Sequence, residues 1–292
     1  MWKGSSAVMR IRRLLWAGGA LAGMAVASHA FAQVPAAPLP DIHQLMRAVE
    51  DHQKKVDTMR ENYTYTSFQT RQEIDAGGQV KKTETEEREE FFVNGHPIRR
   101  VVKRDGKPLT GAEEQKESQR VTKLVEKAQK VPRGEPLDTP AVTVGRLLEI
   151  MDLRNPRREM YRGRATVVLD FIGRKDAKTH GIAEDASKKL QGTLWIDEAD
   201  LQVAHVEVSF DDNFRVAGGL LASIEKGSSL HFDQSPVNGG LWMPTGAEVS
   251  MQARVMLFKN LRERITERNY DFKSFHVDAQ GSEGKPGAVG KP

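Results

Sequence analysis

The sequence predicts an α+β chain: one curled antiparallel β-sheet of about ten strands, with a helix before it and two helices inserted in its middle, covering one face. Two observations carry this. Apolar residues first recur at helical spacing, and from residue 62 onward the dominant pattern is that of strands, rich in Thr, aromatic and β-branched residues. Turn signals then punctuate the chain at short intervals: Gly77-Gly78, Asn94-Gly95, Asp105-Gly106, Gly227-Ser228, Asn238-Gly239-Gly240 and Lys259-Asn260.

Residues 1–32 have the layout of a secretory signal peptide. Lys3, Arg10, Arg12 and Arg13 precede an apolar run over residues 14–27, and Ala30-Phe31-Ala32 make an A-x-A cleavage site. The run is shorter than the roughly 20 residues of a spanning helix. The expected product is an exported, periplasmic protein cleaved after Ala32, with no transmembrane segment in the mature chain. The signal also explains the charge. The chain has 44 Lys+Arg and 40 Asp+Glu, and four of the basic residues lie in residues 1–32, which leaves 40 against 40. The pI of 9.2 is therefore no argument for nucleic-acid binding. There are no cysteines, which excludes disulfides, thiolate catalysis, cysteine-ligated metals and a lipid-modified cysteine.

Residues 33–40 are a Pro/Ala-rich lead-in. Behind the N-cap residue Asp41, the apolar positions Ile42, Leu45, Met46, Val49, Val56 and Met59 define a helix over residues 41–60. Residues 62–74 and 98–103 read as strands. Residues 79–92 lie between two hairpin signals and also read as a strand, its acidic run Glu84 to Glu90 forming a solvated face. Residues 111–130 form a charged helix with a sparse stripe at Val121, Leu124 and Val125, expected to lie over a surface. After a Pro-rich loop, residues 142–153 read as a short helix. Together these make an insertion over about residues 106–156 of a single domain, 41–276. Strands follow at 164–172, 193–197, 201–210, 220–225, 229–232, 248–258 and 262–275, and residues 277–292 form a disordered tail. Helices laid against one face of a curled sheet leave a sheltered space between them.

The stretch "GTLWIDEADLQVAHVEVSF" from Gly192 to Phe210 tests for catalysis. Strand alternation puts His205 and Glu207 on one face, where a carboxylate could assist an imidazole. That face is the more polar of the two, so both residues are expected to meet solvent. Asp197, Glu198 and Asp200 fall in a turn, where acids bond local backbone. The histidines lack H-x-x-x-H or H-E-x-x-H spacing, and there is no G-x-S-x-G and no P-loop. The S-x-x-K spacings at Ser223 and Ser282 lack their companion motifs. No catalytic residue, metal ligand or cofactor is assigned. What remains is apolar. Trp195, Val206, Val208, Phe210, Leu221, Ile224, Trp242, Met251, Met256 and Phe258 are the candidates to line a cavity, and Arg254 is the candidate to close it by bonding to a lid helix.

The G-x-L-W-I-D hairpin at Gly192, the later "GGLWMPTGAEV" at Gly239, and the helix followed by a strand carrying Tyr63 and Tyr65 give the chain a family likeness. It resembles the periplasmic lipoprotein-carrier and outer-membrane lipoprotein-sorting proteins of the Lol system and their wider superfamily, over residues 41–94 and 161–275. The resemblance implies an unclosed antiparallel β-barrel with helices as a lid over an apolar cavity that receives acyl chains. The insertion is longer than a simple carrier needs, and other relatives on this fold are envelope-stress sensors or regulators. The expected function is a soluble periplasmic carrier or binding protein for a lipidated protein or other acyl ligand, without catalysis. The alternatives are an envelope interaction or stress-sensing module whose charged helix meets a protein partner, and a hydrolase using His205 and Glu207.

Overall fold

Helix α1 (Ile42–Arg60) begins where Asp41 caps it, the carboxylate accepting the Gln44 N–H at 2.8 Å. In the computed structural model of the chain, residues 38–133, 137, 149–237, 239–255 and 259–274 are described. The expected signal peptide, most of the expected lead-in, residues 142–148 of the third expected helix, Met256, Phe258 and the expected tail lie outside them.

After α1 come β1 (Tyr63–Ile74), β2 (Val80–Val93), β3 (His96–Arg104), β4 (Lys107–Pro108) and helix α2 (Gly111–Ala128). Then follow β5 (Met151–Tyr161), β6 (Arg164–Gly173), helix α3 (Ile182–Ser187), β7 (Leu190–Asp197) and β8 (Val203–Phe210). The last part is β9 (Phe214–Val216), a 3-10 turn at Ala217–Gly219, β10 (Ala222–Ile224), β11 (Ser229–Val237), β12 (Leu241–Val255) and β13 (Lys259–Ser274).

Among the described residues, thirteen strands form one antiparallel sheet in the order β4-β3-β2-β1-β13-β12-β11-β8-β7-β6-β5, with β10 pairing β12 and β9. The sheet stays open, with β4 and β5 at its two ends. The tight turns explain much of the register. Asn94-Gly95 and Arg162-Gly163 each place both residues at positive φ, which matches the twist of a two-residue hairpin.

Paired residues in adjacent strands share a face. Val167 pairs with Ile196 and Leu169 with Leu194, which sets one apolar face. Leu45, Met46 and Val49 of α1 bury themselves on Val167, Leu169 and Ile196. At its far end α1 is tied to the same face, because Arg60 Nε donates to the Trp242 carbonyl at 2.8 Å and its Nη2 donates to Gln234 Oε1. The face covered by α1 is the inner face.

Helix α2 covers the edge of β3. Its N-terminus is a capping box in which Thr110 and Glu113 satisfy each other's backbone N–H. Glu117 Oε1 accepts the Val101 N–H, Arg120 donates to the Arg99 carbonyl, and Asn94 Nδ2 donates to the Val131 carbonyl. An otherwise open row of backbone groups is thereby filled.

Several expectations change. Met151 to Leu153 belong to β5 and not to a helix, and β5 as a whole was missed. Its Pro156 sits in a bulge between Arg154 and Arg157, which a sequence pattern reads as a break. Lys259 and Asn260 are in β13, opposite Val255 and Arg254, and not in a turn. Only Ala222–Ile224 of residues 220–225 is strand.

Candidate functional site

Two hollows on the inner face have apolar side chains in their lining. One is a groove of about 210 Å³ along β8, β11 and β12, lined by Leu190, Val208, Phe210, Ile224, Leu230, Val249 and Met251 with a few serines, and its surface is nearly all hydrocarbon. Register builds it: Leu190 pairs with Phe210, Val208 with Leu230, and Leu230 with Val249.

The second is a chamber of about 740 Å³ beneath the C-terminal end of α1, where Phe92, Pro97, Phe232 and Pro244 meet Arg60, Tyr65, Glu90, Arg99, Glu267 and Asn269. Its size is that of a small-molecule site. Tyr65 donates to Glu90 Oε2 at 3.1 Å, and Arg99 Nε lies 2.9 Å from Glu90 Oε1. Burial pushes the Glu90 carboxyl above its ordinary pKa, Arg99 opposes this, and Glu267 adds to it. Burial lowers the Arg60 pKa, with Asp57 opposing. Burial alone would lower the Arg99 pKa, but Glu90 and Glu267 carry it above its ordinary value.

Sequence reasoning missed this chamber. It placed Glu84 to Glu90 on a solvated face, whereas Glu90 is 1% exposed. The signal was there: Glu90 and Phe92 are two apart, so a carboxylate shares a strand face with an aromatic ring.

The opposite, outer face carries the histidine. His205 was expected to meet solvent and instead is buried. Its Nδ1 lies 2.8 Å from Asp233 Oδ1 and its Nε2 3.2 Å from Glu207 Oε1. Tyr161 stacks on the ring at 5.0 Å between centroids, and Trp195 closes in at 4.9 Å. Tyr161 donates to Asp233 Oδ1 at 2.6 Å, and burial and that hydrogen bond push its pKa up to about 12. Both imidazole nitrogens are thus engaged by carboxylates, and no nucleophile is among those contacts. The turn acids behave as expected, with Asp197 accepting the N–H of Ala199 at 3.1 Å and of Asp200 at 2.8 Å. Asp197 also pairs with Arg164, which together with those N–H groups outweighs the effect of burial and lowers its pKa.

The structure separates the apolar candidates. Val208, Phe210, Ile224 and Met251 come together in the groove. Val206 is on the same face, paired with Leu194 and Phe232. Trp195 is on the outer face, because the register pairs it with His205 and leaves Leu194 to face inward. Trp242 is buried outside the groove, its Nε1 donating to Asp200 Oδ2 at 2.9 Å with the Arg164 guanidinium 5.4 Å from its ring. Leu221 is exposed, just before β10. Arg254 lies across from Ser223, its Nε buried and without a hydrogen-bond partner. Met256 and Phe258 are outside the described residues. Among the described residues, no helix is long and apolar enough to cross a membrane.

No protein-family profile matches the sequence, and no curated protein matches it. Solved structures give low-level likenesses. A LolA superfamily protein from Nitrosomonas europaea is 11% identical, covering 80% of this chain and 94% of its own, with a TM-score of 0.33. A putative outer membrane lipoprotein-sorting protein domain from Vibrio parahaemolyticus is 11% identical, covering 82% and 95%, at 0.36. A chain of the Pseudomonas aeruginosa MucA/MucB complex is 11% identical, covering 79% and 100%, at 0.23. All three TM-scores lie below 0.5, and the function is argued from this chain's own geometry.

Proposed function

We propose that the protein is an exported, soluble, non-catalytic carrier or binding protein that holds an acyl chain, free or on a lipidated protein, against the inner face of its sheet. One observation carries this: the groove of Leu190, Val208, Phe210, Ile224, Leu230 and Met251 is a continuous hydrocarbon surface on the face that α1 covers. A chain laid in it gains about 25 cal/mol for each Å² of apolar surface removed from water. The test is displacement of a fluorescent fatty-acid probe, with native mass spectrometry of the same sample. Saturable binding of one probe per chain, lost in Val208→Asp, is expected. A wild-type protein that binds no probe below its micelle threshold overturns the proposal.

The second proposed role, an envelope interaction module, is favoured by the exposed, charged outer side of α2, which includes Lys116 and Lys123. Reversing both charges would weaken a partner complex while leaving acyl-probe binding intact. Loss of probe binding in that variant counts against it.

A further inference from the structure

We infer that the ligand of the inner face is an amphiphile whose polar end donates hydrogen bonds, an alcohol or an ammonium group and not an anion, seated in the chamber beneath α1. This rests on the acyl-ligand reading and names the other end of the same molecule.

Three buried polar side chains point to it. Ser67 is 0%, Glu90 1% and Asn269 8% exposed, and Ser67 Oγ, Glu90 Oε1 and Asn269 Oδ1 have no hydrogen-bond partner. They stand on the inner faces of the adjacent strands β2, β1 and β13, since Tyr65 pairs with Glu90 and Ser67 with Asn269. Glu90 and Asn269 line the chamber itself. The Asn269 amide is oriented by its Nδ2, which donates to the Pro244 carbonyl at 3.1 Å, so the open atom is the oxygen. Glu90 Oε1 is held by Arg99 Nε at 2.9 Å in an ion pair, so the open atoms are Ser67 Oγ and Asn269 Oδ1, with the Glu90 carboxyl beside them. Buried acceptors left open are costly, and a donor that reaches them recovers that cost.

Two of the chamber's four cationic side chains are already committed as donors. Arg60 donates to Trp242, Gln234 and Asp57, and Arg133 donates to Glu61 at 2.7 Å. The four cationic side chains in the lining are matched by four carboxylates, so an anionic head meets no net positive field. The apolar end has a place to go. Phe232 in the chamber and Leu230 in the groove are two residues apart on β11, about 7 Å along one strand face.

The experiment titrates the full chain with four probes that share one acyl length: dodecylamine, glycerol monolaurate, laurate and methyl laurate. The amine and the monoglyceride are expected to bind about tenfold tighter than methyl laurate, the factor of one net hydrogen bond. Ser67→Ala and Asn269→Leu each reduce that preference, read as the ratio of the donor-bearing probe's dissociation constant to that of methyl laurate. Glu90→Gln separates the heads: loss confined to the amine assigns an ammonium group, and loss for both probes assigns the shared donor. If methyl laurate or laurate binds as tightly as the donor-bearing probes, the inference is overturned and the acyl-ligand reading stands. If none of the four binds, the acyl-ligand reading itself fails.

Discussion

Glu117 Oε1 accepts the backbone N–H of Val101 at 2.7 Å, so a helix side chain takes the place of a neighbouring strand. Glu117 is buried and is held by Arg120, whose Nη2 donates to Glu117 Oε1 at 2.6 Å. Hydrogen bonding by Arg120 lowers the Glu117 pKa, with the Val101 N–H contributing and burial opposing. Glu117→Ala leaves the buried Val101 N–H without its acceptor and leaves the Arg120 guanidinium with the Arg99 carbonyl alone. We expect a loss of about 1–3 kcal/mol in urea unfolding, the cost of orphaned buried groups. Light scattering should rise as well, because the uncovered edge can pair with another chain. Unchanged stability and scattering would show that α2 is not an edge cover.

Gly192 opens the G-x-L-W-I-D motif for a steric reason. A Cβ built there would lie 2.0 Å from the Glu207 carbonyl oxygen and 2.6 Å from Phe171 Cζ. The ring could swing away, but the carbonyl belongs to the ladder between β7 and β8. Gly192→Ala must therefore push those strands apart, next to both the groove residue Val208 and the His205 cluster. The expected outcome is a loss of roughly 1–3 kcal/mol, as for overpacking of a close-packed site. Differential scanning calorimetry reads it directly, and a melting temperature equal to the wild type's would refute the clash.

The fold was legible where local chemistry and tertiary structure agree. Asp41 caps α1 and Thr110 caps α2 as their residue types demand. Asn94-Gly95 makes the turn that its composition announces. Strand β5 was illegible because Arg154, Pro156, Arg157 and Arg158 carry no alternation, and its pairing to β6 comes from the Arg162-Gly163 turn. Arginine is rarely the residue that marks a left-handed turn position. The groove was legible as an alternation in β8. Trp195 was assigned by residue type and not by register, and the bulge between Trp195 and Ile196 shows how register decides it. The chamber was illegible because Glu90, Arg99 and Glu267 are charged residues whose burial depends on strands far apart in sequence meeting under α1.

Glu90 makes stability depend on pH in a definite direction. Its folded pKa is raised, chiefly by burial, above the unfolded carboxyl value of about 4.3. The contribution to stability is then fully present below the unfolded pKa and is lost as pH rises through the folded pKa. Glu90→Gln has no proton to lose there. Its stability relative to the wild type should be flat below about pH 4 and should rise through the window above it. Urea unfolding at a series of pH values measures this. A difference that moves the other way would mean that the ion pair with Arg99 outweighs burial.

The two faces of the β7–β8 hairpin should separate ligand binding from stability. Val208 faces the groove, while Trp195 and His205 face outward. Val208→Asp puts a carboxylate into hydrocarbon and should abolish acyl-probe binding, since an unpaired polar group there costs several kcal/mol. Trp195→Ala removes a ring tilted against His205 and the hydrogen bond from its Nε1 to Glu159 Oε2 at 3.3 Å. It should cost about 2–4 kcal/mol of stability and leave the probe's dissociation constant within about twofold in the folded fraction. His205→Ala leaves Asp233 and Glu207 facing each other without the imidazole between them, and it should behave like Trp195→Ala in both assays. If either outer-face variant lost probe binding while staying folded, the ligand would have to reach the outer face. The inner-face groove would then not be the binding surface.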